Sequence, residues 1–147
     1  MDHEIKEKAE KLRKEKWIES IFMIEAIAVN KEFVEESLKG HIDKLQSIKD
    51  VFVYDVQFME TIKIDKPLKN IDEAYSQIVE VKLFSKNVFT LLTLIVLYGP
   101  SSIEILGPNS TNVNIDELQH ISISIADLIH QFAAAGAGGI VMTHSKK

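Results

Sequence analysis

The chain contains no cysteine. That excludes disulfides, thiolate nucleophiles and cysteine-ligated zinc or iron–sulfur centres. Arginine is almost as scarce: Arg13 is the only one, so planar, bidentate capture of phosphate or carboxylate is confined to the N-terminal stretch. Positive charge is also outnumbered, 17 Lys and Arg against 22 Asp and Glu, for a net charge of -5. Such a surface is not built to neutralise phosphates, and no nucleic-acid partner is expected. Long hydrophobic runs are missing too. The most apolar stretch, Val88–Tyr98, falls short of the roughly 20 residues that cross a bilayer. The first apolar run, Ile21–Val29, has no small-residue cleavage pattern behind it. These absences predict a soluble, cytoplasmic protein with no membrane partner.

What is present suffices for a core. In 147 residues, 46% are hydrophobic and 27% charged, ordinary values for one globular domain. The chain is organised around Ser85–Leu106, in which Asn87–Ile103 carries no charged side chain. Tyr98-Gly99-Pro100 ends its first half, which reads as a buried helix, Lys86–Tyr98, capped by Ser85 and stopped by Gly99. A strand over Ser102–Leu106 follows, with Ile103 and Ile105 facing inward.

Upstream, Asp2–Lys16 mixes Lys and Glu around a thin stripe of Ile5, Ala9 and Leu12. This predicts a solvated helix resting on something through one narrow edge. Ile21–Val29 reads as a strand, and Asn30 as the cap of a helix over 31–48. That helix carries Val34, Leu38, His41, Leu45 and Ile48 on its core stripe. Val51–Phe58 is a second strand with Phe52, Tyr54, Val56 and Phe58 on one face. Met59–Ser76 reads as a connection with strand character at Thr61–Ile64, a break at Pro67 and one helical turn at Asn70–Ala74. Gln77–Phe84 is a third strand. Each half is then strand–helix–strand, which together predict a ferredoxin-like βαββαβ domain over 18–108 with a four-stranded antiparallel sheet. A charged helix over 1–17 precedes it. The alternative is a longer N-terminal helix with a meandering sheet.

Residues 109–147 read as a loop, an amphipathic helix and a glycine-rich tail. Asn114-Ile115-Asp116-Glu117 has the form of a capping box, and Leu118, Ile121, Ile125, Leu128 and Phe132 recur at helical spacing up to Gly136. His120–Ala126 also alternates like a strand, and Gly139–Met142 is a candidate edge strand.

In this arrangement one sheet face is wholly apolar, whereas the other mixes Ile21, Met23, Ile27 and Ile78 with Glu25, Asp55, Glu80, Lys82 and Glu104. The consistent sorting of charges to one side supports the strand assignments, because a one-residue slip would bury them. The mixed face is too apolar to stand bare, and a helix or a second subunit is expected to cover it. Its carboxylates and Lys82 form a candidate site for a cation or an amine-bearing ligand, with Asn30 at the nearby turn. The bland reading is ordinary solvent-facing charge.

Other motifs carry less. Glu117-x-x-His120 has the spacing of di-iron bundles, yet Asp127-x-x-His130 on the same helix diverges from it, so no metal is expected. His41 fits a hydrogen-bonded boundary histidine better than a general base. Ala133–Gly139 follows a helix C-terminus and lacks Gly-Lys-Ser/Thr, which excludes a phosphate loop. In element order alone the chain is similar to amino-acid-binding ACT domains. Val29-Asn30-Lys31 stands where those domains often carry a glycine, and no family membership follows. The reading is a non-enzymatic homo-oligomer, without cofactor, that binds a small ligand or regulates. A structural adaptor subunit is the second reading and a metal-dependent enzyme using the sheet-face carboxylates the third. The expected interface is apolar: Phe89, Leu92 and Val96 on one helix, Ile121, Ile125 and Phe132 on the other.

Overall fold

The computed structural model describes residues 2–136, with only the backbone described at 66–68. Its elements run α1 (His3–Lys14), β1 (Ile18–Ala28), α2 (Lys31–Gln46), β2 (Val51–Phe58), β3 (Ile62–Leu68), β4 (Ile71–Ser85), α3 (Val88–Tyr98), β5 (Ser102–Gly107) and α4 (Ile115–Ala134). They divide into two compact units, residues 1–111 and residues 112–147.

The first unit is α+β, with an antiparallel sheet of five strands rather than four. The order is β2-β4-β1-β5, and β3 pairs with β4. The fifth strand corrects the reading of 59–76. Asn70–Ala74 makes no helical turn: β4 starts at Ile71 and pairs with β3 through Ser76. Ladder hydrogen bonds along its edges outweigh the weak local helical signal. Pro67 does not end β3 either. It falls where the ladder is irregular, between Asp65 and Leu68, in the kind of edge position that tolerates a missing N–H. β4 is thus the spine of the sheet, paired to β1 along one edge and to β2 and then β3 along the other.

Asparagines start α2 and α3. The Asn30 side chain accepts the Phe33 N–H at 2.9 Å, and Asn87 accepts that of Thr90 at 2.9 Å, each satisfying a donor the first helical turn leaves open. Asn87 replaces the expected Ser85 cap, because Ser85 is still in the ladder, opposite Ile18 and Val51. Gly99 ends α3 at φ 48, a left-handed conformation suited to glycine. α2 ends at Gln46, short of the expected Ile48, in a turn closed by Ser47 and Ile48 N–H bonds to Lys44 and Leu45.

The main core lies between the sheet and the helices α2 and α3. Phe22, Ile24, Val79, Val81 and Leu83 from the sheet meet Leu38, Ile42 and Leu45 from α2 and Leu91 and Leu94 from α3, all buried. Each such side chain contributes about 1.5–3 kcal/mol on burial. A second, smaller cluster sits on the opposite face, where Ala9 and Leu12 of α1 cover Phe84, flanked by Trp17, Phe52 and Tyr54. The narrow stripe of the N-terminal helix therefore rests on the sheet.

That second cluster corrects the faces assigned to β2. Phe52 pairs with Phe84 and Val53 with Leu83, but Asp55 pairs with Lys82 and the register shifts between Val53 and Asp55. Opposed residues share a face, and a bulge puts two residues against one. Phe52 and Tyr54 consequently belong to the α1 face, whereas Val51, Val53 and Val56 pack into the α2–α3 core. On β5, Ile103 and Ile105 lie opposite Phe22 and Ser20, on the core side, yet both remain exposed.

In the second unit, the Asn114 side chain accepts the Glu117 N–H at 2.8 Å and opens α4. Ser122, which gave this stretch its strand-like alternation, is accommodated by donating to the Leu118 carbonyl at 2.8 Å. Gly136 follows the helix at φ 78. The candidate strand Gly139–Met142 lies outside the described residues. Among those that are described, no helix is long and apolar enough to cross a membrane.

Candidate functional site

The strongest polar constellation of the first unit holds α1 to the sheet. Glu19, only 9% exposed, opposes Phe84 in the β1–β4 ladder and so faces α1. Arg13 grips its carboxylate with two bonds, Nε to Oε1 at 2.8 Å and a terminal guanidinium nitrogen to Oε2 at 2.9 Å. The Tyr54 hydroxyl donates to Oε2 at 2.5 Å. Arg13 first, with help from Tyr54 and Lys82, holds the Glu19 carboxyl below the usual carboxylate range against the opposing cost of burial. Burial, then the neighbouring Glu19 charge, pushes the Tyr54 phenol well up, so it stays a donor. The guanidinium lies 5.6 Å from the centre of the Phe84 ring, and the Lys8 ammonium 4.4 Å from that of Phe52. Every bond of the Glu19 carboxylate is internal. The geometry is that of an anchor.

Beyond the anchor the same face carries the expected candidate residues in rows. Asp55 opposes Lys82, Lys82 opposes Ile21, and Ile21 opposes Glu104. The next row is Gln57, Glu80, Met23 and Ser102, and the following one contains Ile78 and Glu25. Glu25, Asp55, Glu80, Lys82 and Glu104 thus share one face across four strands. Asn30 is apart from them, its side chain occupied in capping α2. The Glu25 carboxylate accepts a hydrogen bond from the buried Ser76 hydroxyl. Among the described residues no three His, Cys, Asp or Glu side chains come together as metal ligands; neither the face nor α4 has such a group.

Concave surface is found on the helix side, along both flanks of α2. One cleft, about 230 Å³, is lined by Ile24, Glu25, Ala26, Ser37, Leu38, His41 and Tyr98. It exists because β5 pairs with β1 only as far as Met23, where Pro100 interrupts the incoming chain and Ser101 bonds the Met23 carbonyl. The remainder of β1 then runs beside α2 with nothing paired to that edge among the described residues. His41 packs its ring 4.4 Å from that of Tyr98, an aromatic contact in place of the hydrogen bond expected of it. Burial, and secondarily Lys44, lowers the His41 pKa, so the imidazole is neutral near pH 7. Burial raises that of the Tyr98 phenol. A second cleft of about 210 Å³, lined by Glu35, Lys39, Phe58 and Gln77, lies on the other flank. There the Thr61 hydroxyl bonds Glu35, and Gln77 donates to the Met59 carbonyl while its buried side-chain oxygen has no partner.

Of the expected interface residues, Phe89 and Leu92 are half-buried on α3 and Val96 is exposed. Ile121, Ile125 and Phe132 lie along α4, the last two exposed. Sequence reasoning missed Glu19, Ser37, Tyr98 and the anchoring role of Tyr54. One signal for the anchor was available: a lone arginine followed six residues later by an acid at the start of a strand.

Fold and clefts together define a small α+β protein whose charged side chains are spread over a sheet face or spent on structure, with polar groups gathered in clefts beside α2. The chain belongs to the MJ0538 family, whose model matches residues 19–147; α1 and Arg13 precede the matched region. No curated protein and no solved structure matches the chain significantly.

Proposed function

We propose that the protein is a non-enzymatic, homo-oligomeric and cytoplasmic module that binds a small ligand or regulates through one, and that its first unit is a ferredoxin-like βαββαβ domain enlarged by β3. The observation that carries the ligand reading is the cleft between α2 and the unpaired end of β1. It combines an apolar floor of Ile24, Ala26 and Leu38 with the polar groups Ser37, His41 and Tyr98; Glu25 borders it, with its carboxylate on the other face of the sheet. Drug-sized ligands occupy about 300–1,000 Å³, so a cleft of about 230 Å³ selects a smaller molecule. Hydroxyl and imidazole groups beside an apolar floor suit a small molecule that bears oxygen or nitrogen. The sheet-face carboxylates, distributed over four strands, favour this reading over a metal-dependent enzyme.

A thermal-shift screen of amino acids, small amines and nucleotides tests it. A binder of this cleft raises the melting temperature by mass action, about 2.7 kcal/mol at a hundredfold excess over Kd, and the shift disappears in Tyr98→Ala. A screen without any shift overturns the proposal, as does a shift that Tyr98→Ala and Ser37→Ala both leave intact. One observation favours the adaptor reading instead. Along α4, Leu118, Ile121, Ile125, Leu128 and Phe132 alternate three and four residues apart, the spacing of a helix-pairing seam, and Leu118, Ile125 and Phe132 are exposed.

A further inference from the structure

The second cleft, on the other flank of α2, forms where β2 hands the edge of β4 over to β3. β2 is paired as far as Phe58, opposite Val79, and β3 takes over at Ile62, opposite Ser76. Residues 59–61 fill the interval outside both strands, tied in by the Met59 N–H on the Ile78 carbonyl. Phe58 shares its face with Val79, and Gln77 lies two residues along β4 on that same face, so both are directed toward α2. Glu35 and Lys39 of α2 complete the lining. Three features set this cleft apart from bare surface. Gln77 is only 8% exposed, and with its amide nitrogen fixed on the Met59 carbonyl at 3.0 Å its buried oxygen has no partner; such groups are nearly always satisfied. Glu35 precedes Lys39 by four residues, the order and spacing at which the two side chains ordinarily pair on a helix. Here they do not pair: Glu35 is drawn away to the Thr61 hydroxyl, and Lys39 has no ion-pair partner among the described residues. Finally, the Phe58 ring is 42% exposed beside these polar groups.

We propose that this cleft binds a small zwitterionic amino acid with an apolar side chain. Its carboxylate pairs with Lys39, its ammonium group donates to Glu35 and to the Gln77 oxygen, and its side chain rests on Phe58. Opposite charges kept apart on one wall are the complement of a molecule that carries both. A simple anion would be repelled by Glu35 and would bring no donor to Gln77. A simple amine would be repelled by Lys39. A metal ion finds one carboxylate in the lining and no converging group among the described residues. Size points the same way: about 210 Å³ is below the roughly 300–1,000 Å³ of drug-sized sites. The Thr61 hydroxyl already holds Glu35 in place, which lowers the cost of ordering it on binding. Lys39 and Phe58 are exposed, so entry requires no opening of the core. The site is separate from the cleft of the proposed function and does not rest on it.

Calorimetric titration of the full chain with valine, leucine, methionine and phenylalanine tests the proposal. At least one of the four is expected to bind, and its addition should move the side-chain amide resonances of Gln77 in the nitrogen-15 NMR spectrum. The same molecule without its amine, or without its carboxylate, should bind at least about tenfold more weakly. Lys39→Gln and Glu35→Gln, at an exposed and a half-buried position, should each weaken binding about tenfold with an unchanged circular dichroism spectrum. No binding by any of the four at millimolar concentration overturns the proposal. So does an analogue without amine or carboxylate that binds as well as the amino acid, or binding that either variant leaves intact. Tyr98→Ala separates the two clefts. It should leave this binding unchanged; binding lost in Tyr98→Ala but kept in Lys39→Gln and Glu35→Gln belongs to the first cleft, rejecting this site and supporting the other.

Discussion

On one face of the sheet, α2 and α3 deliver a continuous apolar layer against Phe22, Ile24, Val79, Val81 and Leu83. On the other, α1 covers only the end around Phe84, with Ala9 and Leu12 supplying the apolar contact and Arg13, Tyr54 and Glu19 supplying direction. The first closure is broad and nonspecific, proportional to area removed from water. The second is small, and its strength depends on a few polar atoms meeting at fixed distances. Stability is therefore concentrated on the α2–α3 side, and the α1 side is where the molecule can open without unfolding.

Substitutions can break this contrast. Phe22→Ala, at a position with no exposure, should cost about 3–5 kcal/mol by leaving a cavity, read as a fall in the urea midpoint of the whole transition. Arg13→Ala should cost less, about 1–2 kcal/mol, because the arginine is half exposed and its salt bridge partly screened. Its effect should be local. Trp17, the only tryptophan, borders the α1 cluster, so its fluorescence should report α1 detaching at a lower urea concentration than the loss of sheet signal. If both variants shift the two signals together, the two faces are one cooperative unit. Gly99→Ala, at the end of α3, should cost about 1 kcal/mol: the site has free space, and only the left-handed backbone resists.

The smallest effect is the pH dependence of the anchor. Glu19 is held below its unfolded pKa of about 4.3, so its contribution is present above that value and is lost as pH falls through the folded value. Tyr54 is held above its unfolded pKa of about 10, so its contribution is present below that and is lost as pH rises. The Trp17 signal should show α1 most firmly attached between about pH 4.5 and 10. Arg13→Ala should weaken the acid limb, and Tyr54→Phe should remove the alkaline limb. A Trp17 transition insensitive to both variants would show that Ala9 and Leu12 alone hold the helix.

Much of the architecture was legible in the residues. Asn30 and Asn114 were read as caps and are caps; Gly99 was read as a stop and is one; Val51–Phe58 was read as a strand over its full length. Strong local chemistry and clear periodicity made these readable. The failures share a different cause. Ile71–Ala74 is a strand because β3 pairs with it across the turn at Lys69-Asn70, and Ser85 stays in the ladder because Ile18 and Val51 are opposite it; in both places pairing between strands overrides the local signal. The candidate residues Glu25, Asp55, Glu80, Lys82 and Glu104 were placed together by simple alternation. The cleft beside α2 was invisible because it depends on where β5 stops along β1.

The bulge in β2 can be restated as an insertion. Without Tyr54 the strand would read Val-Phe-Val-Asp-Val-Gln-Phe, alternating without interruption and opposing β4 residue for residue. Tyr54 is the supernumerary member, and the shift between Val53 and Asp55 absorbs it. The same residue supplies the phenol that reaches Glu19. Gain or loss of one codon at this point would therefore add or delete a fastener for α1 while leaving every other side chain of β2 on its own face. The sheet and the helix docked on it are separable parts, joined by a residue that the sheet itself does not require.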